Sequence, residues 1–331
     1  MNVLVTGANG FIGAHLVEDQ LARGRAVCAV DLADTKLRSL AARYPGLEIV
    51  KADIRDRQAL SKAMEGRDLV FHLASAHLDV ALPESDYLAI NRDAARWLVE
   101  AAHRTGVKRF IHCSSVGVHG EIHHPPANED SLCHPDLVYE RTKLEGERAV
   151  RAYAEQTGYP VVIVRPVWVY GPGCPRTEKL FRTVQKGRFF YVGSGEALRH
   201  CIYISDMVEG FHLASEYQGP PGQVFILGDH RAVTIKELIE TMAKVAGVRA
   251  PRLTIPLGPM RLLCRIIERL FLSMGKEPPI SERSLKFFTN NTSFDIARAK
   301  RLLGFDPRIT LEEGMRRTYA AIRADKDKGA H

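Results

Sequence analysis

Short apolar runs alternate with longer stretches of helical spacing through the first half of the chain. Asn2–Thr6, Ala26–Asp31, Leu47–Ala52, Leu69–Ala74, Arg109–Ser114 and Val161–Arg165 are runs of strand length. Their apolar character predicts strands buried on both faces. Between them, Phe11 to about Arg23, Tyr87 to Thr105 and Val138 to Gly158 place apolar residues at helical spacing. In the second of these stretches Leu88, Ala95, Leu98, Val99 and Ala102 are the apolar positions. Such alternation predicts an α/β fold with a doubly wound parallel sheet covered by helices on both sides.

After Pro166 the pattern loosens. Gly171-Pro172-Gly173-Cys174-Pro175 breaks the chain, and Gly193-Ser194-Gly195 marks a turn. Helices are predicted over Thr177–Lys186, Ser205–Ser215 (capped by Ser205 or Asp206) and Thr234–Ala246 (capped by Thr234). Short strands are predicted at Cys201–Ile204 and Val224–Leu227, and the remainder reads as mostly helical.

The first chemical signal is Gly7-Ala8-Asn9-Gly10-Phe11-Ile12-Gly13, set between the first strand and the first helix. Gly7 permits the tight turn, Gly10 lets backbone approach a pyrophosphate, and Gly13 lets helix pack on strand. The helix N-terminus then offers free N–H groups to the phosphates. Asp31 ends the second strand, 18 residues after Gly13. A carboxylate there accepts hydrogen bonds from ribose hydroxyls and repels a 2′-phosphate, which favours NAD over NADP. Lys36 and Arg38 stand nearby and keep NADP as the lesser alternative. A Rossmann NAD-binding unit is therefore expected over 1–170, with return segments near 200–228. A smaller, mostly helical substrate-binding unit is expected over 171–199 and 229–325.

Tyr139 and Lys143 open a helix about 24 residues after Ser114-Ser115. At i and i+4 they share a face, so the lysine charge is expected to lower the phenol pKa and make it a usable base. Ser115 is then placed to hydrogen-bond the reacting oxygen.

These residues carry a family resemblance. The chain resembles the extended short-chain dehydrogenase/reductases, the NAD-dependent epimerase/dehydratase group. The resemblance rests on Gly7–Gly13, Asp53-Ile54, His72-Leu73-Ala74, Asn91, Cys113–Gly120, Tyr139 with Lys143, and Arg165 through Gly171. It implies a Ser115/Tyr139/Lys143 triad, adenine contacts from Asp53 and Ile54, and cofactor contacts from Leu73 and Ala74. The backbone of Pro166, Val167, Trp168 and Val169 would meet the nicotinamide amide, and Asn91 would support the active-site helix. Ser114 is the lesser candidate for the catalytic serine and is expected with His77, His119, Trp168 and Arg199 to face the substrate. The resemblance also implies a homodimer through the helices at Tyr87–Thr105 and Val138–Gly158.

For the substrate, two readings of one chemistry compete. Glu277-Pro278-Pro279-Ile280, Phe294 to Lys300 and Leu303-Gly304-Phe305-Asp306-Pro307 resemble 3β-hydroxysteroid and sterol-4-carboxylate dehydrogenases. Arg199, just before Cys201–Ile204, resembles the phosphate-binding arginine of nucleotide-sugar epimerases, dehydratases and reductases. Trp168 departs from those enzymes, many of which carry asparagine there, though some deoxysugar reductases share the tryptophan. A non-catalytic NAD(P)-binding sensor or scaffold is the remaining class, and the presence of both Tyr139 and Lys143 speaks against it.

Charge and composition narrow the partners. The net charge of +7 is uneven: residues 231–331 carry 20 Lys/Arg against 11 Asp/Glu, while the rest is slightly acidic. A basic C-terminal third suits an anionic substrate or an anionic membrane surface, and no nucleic-acid motif accompanies it. Within it, Leu262, Leu263, Ile266, Ile267, Leu270 and Phe271 form a helical apolar stripe beside Arg261, Arg265 and Arg269. Such a stripe either packs on the core, caps an apolar pocket or touches a membrane. No apolar run reaches the roughly 18 residues of a span, and the N-terminus shows no signal-peptide pattern, so a cytoplasmic location is expected. Six scattered cysteines without a CxxC pair indicate reduced thiols and no zinc. His119, His123, His124 and His134 cluster in sequence, but no regular element sets their spacing, so no metal is assigned.

Overall fold

The apolar runs do form strands, and the helical stretches cover them. The structure, a computed structural model, describes residues 1–77, 82–274 and 282–329. The chain begins β1 (Asn2–Thr6), α1 (Phe11–Ala22), β2 (Ala26–Asp31), α2 (Thr35–Arg43), β3 (Glu48–Lys51), α3 (Arg57–Met64) and β4 (Leu69–His72). It continues through α4 (Glu84–Leu88), α5 (Ala94–Arg104), β5 (Arg109–Cys113), α6 (Val138–Thr157), β6 (Val161–Pro166) and β7 (Trp168–Tyr170). Then come α7 (Pro175–Gln185), β8 (Tyr191–Val192), β9 (Leu198–Arg199), β10 (Cys201–Tyr203), α8 (Ile204–Glu216), β11 (Gln223–Leu227) and β12 (Val233–Thr234). The chain closes with α9 (Ile235–Ala246), β13 (Thr254–Ile255), α10 (Leu257–Ser273), α11 (Glu282–Thr289), α12 (Ala297–Leu303) and α13 (Leu311–Gly329).

Seven strands make one parallel sheet in the order β11-β6-β5-β4-β1-β2-β3. Side-chain alternation divides its two faces. Val3 and Val5 of β1 point into a cluster with α1, α2 and α8, whereas Leu4 points into a second cluster with α3, α5 and α6. Strand order reverses direction between β1 and β4. This is the crevice where open α/β sheets bind ligands at the carboxyl ends of their strands. The C-terminal region is mostly helical.

Several expectations change in detail. The single helix over Tyr87–Thr105 is α4, a π-helical turn at Ala89–Asp93, and α5. Neither Ser205 nor Asp206 caps α8: the Asp206 carboxylate instead accepts from the backbone of Arg308 and Ile309, at 3.1 and 2.9 Å. Thr234 does cap α9, its hydroxyl accepting from Glu237 N at 3.0 Å. β7 was not foreseen; it is short and is defined only by parallel pairing with β10. Most of the apolar stripe of α10 does not pack on the core: Leu262, Leu263, Ile266 and Leu270 are exposed, Ile267 and Phe271 are half-buried, and Met260 and Cys264 are the buried positions. Glu277-Pro278-Pro279-Ile280 lies outside the described residues.

Candidate active site

The cofactor crevice is built from backbone that tolerates no side chain. Gly7 has φ +70°, and a Cβ there would sit 2.6 Å from Ala74 N. At Gly13 a Cβ would lie 2.0 Å from the Gly7 carbonyl oxygen, so helix and turn can meet only at glycine. Gly10 precedes α1 without a side-chain cap, which leaves the first N–H groups of the helix directed at the crevice. A pyrophosphate fits this cradle: it needs close backbone approach and free donors, and both are present.

Asp31 holds the turn from the side. Its carboxylate accepts from Asn9 N at 2.9 Å and from Ala33 N at 3.3 Å. The Asn9 side chain in turn accepts from Lys36 N at 2.8 Å, and Arg38 pairs with Asp34 at 2.9 Å. Asp31 therefore orders the glycine turn, and its expected ribose contact can be tested directly. Removing it in Asp31→Ala is expected to weaken NAD binding about tenfold to a hundredfold, the worth of one hydrogen bond to a charged group. NADP should be affected less, because no carboxylate then repels its phosphate. Titration of both cofactors checks this, and an unchanged preference would remove Asp31 from the ribose site.

Around the crevice, Leu73 N donates to Thr6 O at 3.1 Å and Ala74 N to Thr6 Oγ1 at 3.3 Å, fixing the turn after β4. Asp53 is clasped by Arg55, whose Nε and Nη2 donate at 2.9 and 2.7 Å, and this holds its pKa below the usual carboxylate range. The Ile54 side chain is buried in the core beside Val30 and Leu60. His15 on α1 reaches the Pro172 carbonyl at 3.1 Å, tying the glycine-rich break after β7 to the cofactor side.

Ser115, Tyr139 and Lys143 meet at the carboxyl end of β5. Ser115 is the residue before a 3-10 turn at Val116–His119, and its Oγ accepts from Gly117 N at 3.0 Å. Lys143 is buried on α6 and its Nζ donates to the Cys113 carbonyl at 2.5 Å. Burial lowers the Lys143 pKa.

Tyr139 behaves differently from expectation. Burial drives its pKa well up, with Cys113 adding to the rise and a hydrogen bond with Ser115 opposing it. The expected acidification by Lys143 is thus overridden: the lysine side chain turns to the β5 carbonyl, and desolvation of the phenolate dominates. The imidazole of His77 meets the Tyr139 ring edge-on, with centroids 4.7 Å apart.

Asn91 locks the helix that carries this group. Its side chain accepts from Ala76 N at 2.9 Å and donates to Ala76 O at 3.2 Å and to Thr142 Oγ1 at 3.0 Å. The π-helical turn brings the Asn91 carbonyl so close to α6 that a Cβ at Gly146 would lie 2.0 Å from it. Local widening of a helix is a recurrent way to aim one residue at a functional site.

Behind the serines lies a buried ionic network that sequence reasoning missed. Arg165 and Glu147 form a bidentate pair, Nη2 to Oε1 at 2.5 Å and Nε to Oε2 at 3.0 Å. Ser114 Oγ donates to Glu147 Oε2 at 2.6 Å. Arg165 Nη1 also reaches His119 Nε2 at 3.1 Å and the Glu129 carbonyl at 3.3 Å. Two expectations are corrected here. Ser114 and His119 are buried core residues of this network: the Ser114 hydroxyl donates to Glu147 and His119 Nε2 meets Arg165, while His119 Nδ1 has no hydrogen-bond partner among the described residues. Burial, reinforced by Arg165, holds the His119 pKa down to about 4 and keeps the ring neutral. The available signal was Glu147 itself, one turn beyond Lys143 on the helix face that meets the sheet.

Arg199 is the third correction. Its guanidinium donates to the carbonyls of Leu198 at 2.8 Å and Lys286 at 3.0 Å, and also to those of Phe287 and Asn290. It stacks over the Phe287 ring at 4.8 Å. It therefore caps the C-terminal end of α11, where unsatisfied carbonyls attract a cation. Burial brings its pKa down to about 10. Trp168 is half-buried, edge-on to Phe287 at 6.2 Å, with Arg176 over its ring at 5.4 Å. Arg176 is exposed and makes no ion pair among the described residues. Among these residues no group of three or more His, Cys, Asp or Glu side chains could hold a metal ion.

The likeness to known proteins follows the same lines. A relative 30% identical over 329 residues is a 3 beta-hydroxysteroid dehydrogenase/Delta 5-->4-isomerase of Mycobacterium tuberculosis; the match covers 95% of this chain and 88% of that one. Another, 28% identical and covering 98% and 97% respectively, is an N-acetyl-alpha-D-glucosaminyl-diphospho-ditrans,octacis-undecaprenol 4-epimerase of Escherichia coli O157:H7. Among solved structures, UDP-glucuronic acid 4-epimerase from Bacillus cereus in complex with NAD superposes with a TM-score of 0.80 at 26% identity, covering 98% and 99% of the two chains. Residues 3–228, which run from the first strand of the sheet through β11, match the NAD dependent epimerase/dehydratase family, and the chain belongs to it.

Proposed function

We propose that this protein is an NAD-dependent dehydrogenase of a ring secondary alcohol on an apolar, sterol-like molecule, with Ser115, Tyr139 and Lys143 as its catalytic residues. The observation that carries the choice of substrate is Arg199. The cation that a diphosphate would need is consumed by the α11 carbonyls, and the wall beside it is aromatic: Trp168, Phe287 and Phe288. The likeness to the M. tuberculosis dehydrogenase supports the same reading.

NAD, the family's cofactor, supplies the hydride acceptor when bound in the crevice beyond β1. This chain's residues handle the oxygen and the proton. The Ser115 hydroxyl orients the substrate oxygen, and Tyr139 takes its proton as the carbon–hydrogen bond is broken. Lys143, anchored at the Cys113 carbonyl, holds a positive charge beneath that proton path. Oxidation thus yields ketone, reduced cofactor and one proton. The family resemblance further implies a homodimer through the stretches Tyr87–Thr105 and Val138–Gly158, and a monomeric mass by light scattering would contradict it.

A second reading has one observation in its favour. Arg176, exposed beside Trp168, could take the phosphate that Arg199 does not, as a sugar 4-epimerase would need. One experiment separates the two. With NAD and a 3β-hydroxysteroid, reduced cofactor is expected to accumulate and the protein to gain thermal stability. If UDP-sugars alone stabilise it and C4 is inverted without net cofactor reduction, the epimerase reading replaces ours.

A further inference from the structure

Ten large hydrophobic residues are markedly exposed among the described residues, and six of them fall between Leu253 and Met274. They lie along α10 and its two ends. Leu262, Ile266 and Leu270 follow one another at i+4, with Leu263 beside them, so they make one continuous outer face. The opposite face is occupied: Met260 and Cys264 are buried against Val192 and Leu285. The outer face is therefore not a core face turned out by chance, since the helix already has its core contacts. A contiguous apolar patch of this kind marks an interaction surface.

Charge identifies the partner. Residues 249–271 carry Arg249, Arg252, Arg261, Arg265 and Arg269 against Glu268 as the only acid. Arg261, Arg265 and Arg269 run along the helix at i+4, immediately beside the leucine face. Arginines flanking an exposed apolar stripe are the composition of a helix that lies flat at a lipid interface, with its apolar face among acyl chains and its cations at phosphate headgroups. No described helix is long and apolar enough to cross a membrane, so the contact is with the surface. A two-fold contact through the same stripe would bring two arginine-flanked faces together and double the positive charge at the seam.

We propose that α10 docks this protein onto an anionic lipid bilayer. The docking holds for either substrate reading. α10 packs on α11, and α11 carries Phe287 against Trp168, so the lipid-facing helix adjoins the proposed substrate wall.

Flotation of the full chain with vesicles tests this. Binding is expected to vesicles of equimolar phosphatidylcholine and phosphatidylglycerol, to weaken with added salt, and to be absent with phosphatidylcholine alone. The variants Leu262→Glu with Ile266→Glu, and separately Arg261→Glu with Arg269→Glu, should each lose binding about tenfold or more. Thermal stabilisation by NAD should remain, because these side chains are exposed and belong to none of the elements that form the glycine turn. No binding to mixed vesicles, equal binding to phosphatidylcholine alone, or undiminished binding by the Leu262/Ile266 variant would overturn the proposal. So would a vesicle-inert dimer that the same variant converts to monomer, since the stripe would then be an interface between copies.

Discussion

Tyr139→Phe is expected to lower turnover by about two to four orders of magnitude, the usual contribution of a positioned general acid or base. The substitution removes one oxygen and leaves the ring in place against His77. NAD affinity and thermal stability should therefore stay near the parent values, which isolates the chemical loss from a folding defect. The environment of the phenol adds a second, sharper expectation. Burial raises its pKa, and only the Ser115 hydrogen bond opposes this. At neutral pH the phenol is then mostly protonated, so oxidation, which needs the base form, should accelerate with rising pH. Carbonyl reduction, which needs the acid form, should be insensitive over the same range. Full activity in Tyr139→Phe would exclude the phenol from the reaction. An oxidation rate flat from neutral to alkaline pH would show that bound cofactor or substrate resets its pKa.

Glu147→Ala is expected to cost about 3–5 kcal/mol of folding stability, the penalty for leaving a buried charge without its partner. Both side chains of the pair are almost fully buried, at 4% and 3% exposure, and Glu147 also receives the Ser114 hydroxyl. Removing the carboxylate strands the Arg165 guanidinium and one hydroxyl in the core at once. Urea unfolding measures the loss. Replacing both partners by methionine should recover most of it, because a buried ion pair is worth little against well-packed apolar groups of similar size. A loss below about 1 kcal/mol in the single variant would mean that water reaches the pair as it reaches a surface salt bridge. Activity carries a separate signal. The network lies directly behind Ser115, so Glu147→Ala should reduce turnover beyond what the stability loss alone removes.

The two predictions differ in how far the chain itself announced them. Tyr139 and Lys143 could be proposed from the chain because they share a helix face at i and i+4 and that helix follows the fifth strand of a dinucleotide fold; the spacing alone is common on ordinary helices. The glycine turn was legible because it follows a strand and opens a helix within a dozen residues. Glu147, Arg165, Glu129 and Ser114 come from separate segments of the chain and were not recognisable as a set. Nothing in their spacing indicates that one carboxylate will meet a guanidinium from a strand and a hydroxyl from a turn. Arg199 shows the opposite failure. Its resemblance to the phosphate-binding arginine of nucleotide-sugar epimerases implied a phosphate ligand, yet the α11 carbonyls take its guanidinium.

The sequence alone determined the alternating fold and the glycine turn of the dinucleotide crevice, because both follow from periodicity and short-range geometry, and it offered Ser115, Tyr139 and Lys143 as the proposed catalytic residues through a family resemblance. Tertiary structure decided which charges are spent inside the molecule, how far burial moves the Tyr139 phenol, and that most of the α10 stripe faces outward. Those outcomes depend on desolvation and on partners distant in the chain, and both are set only when the elements pack.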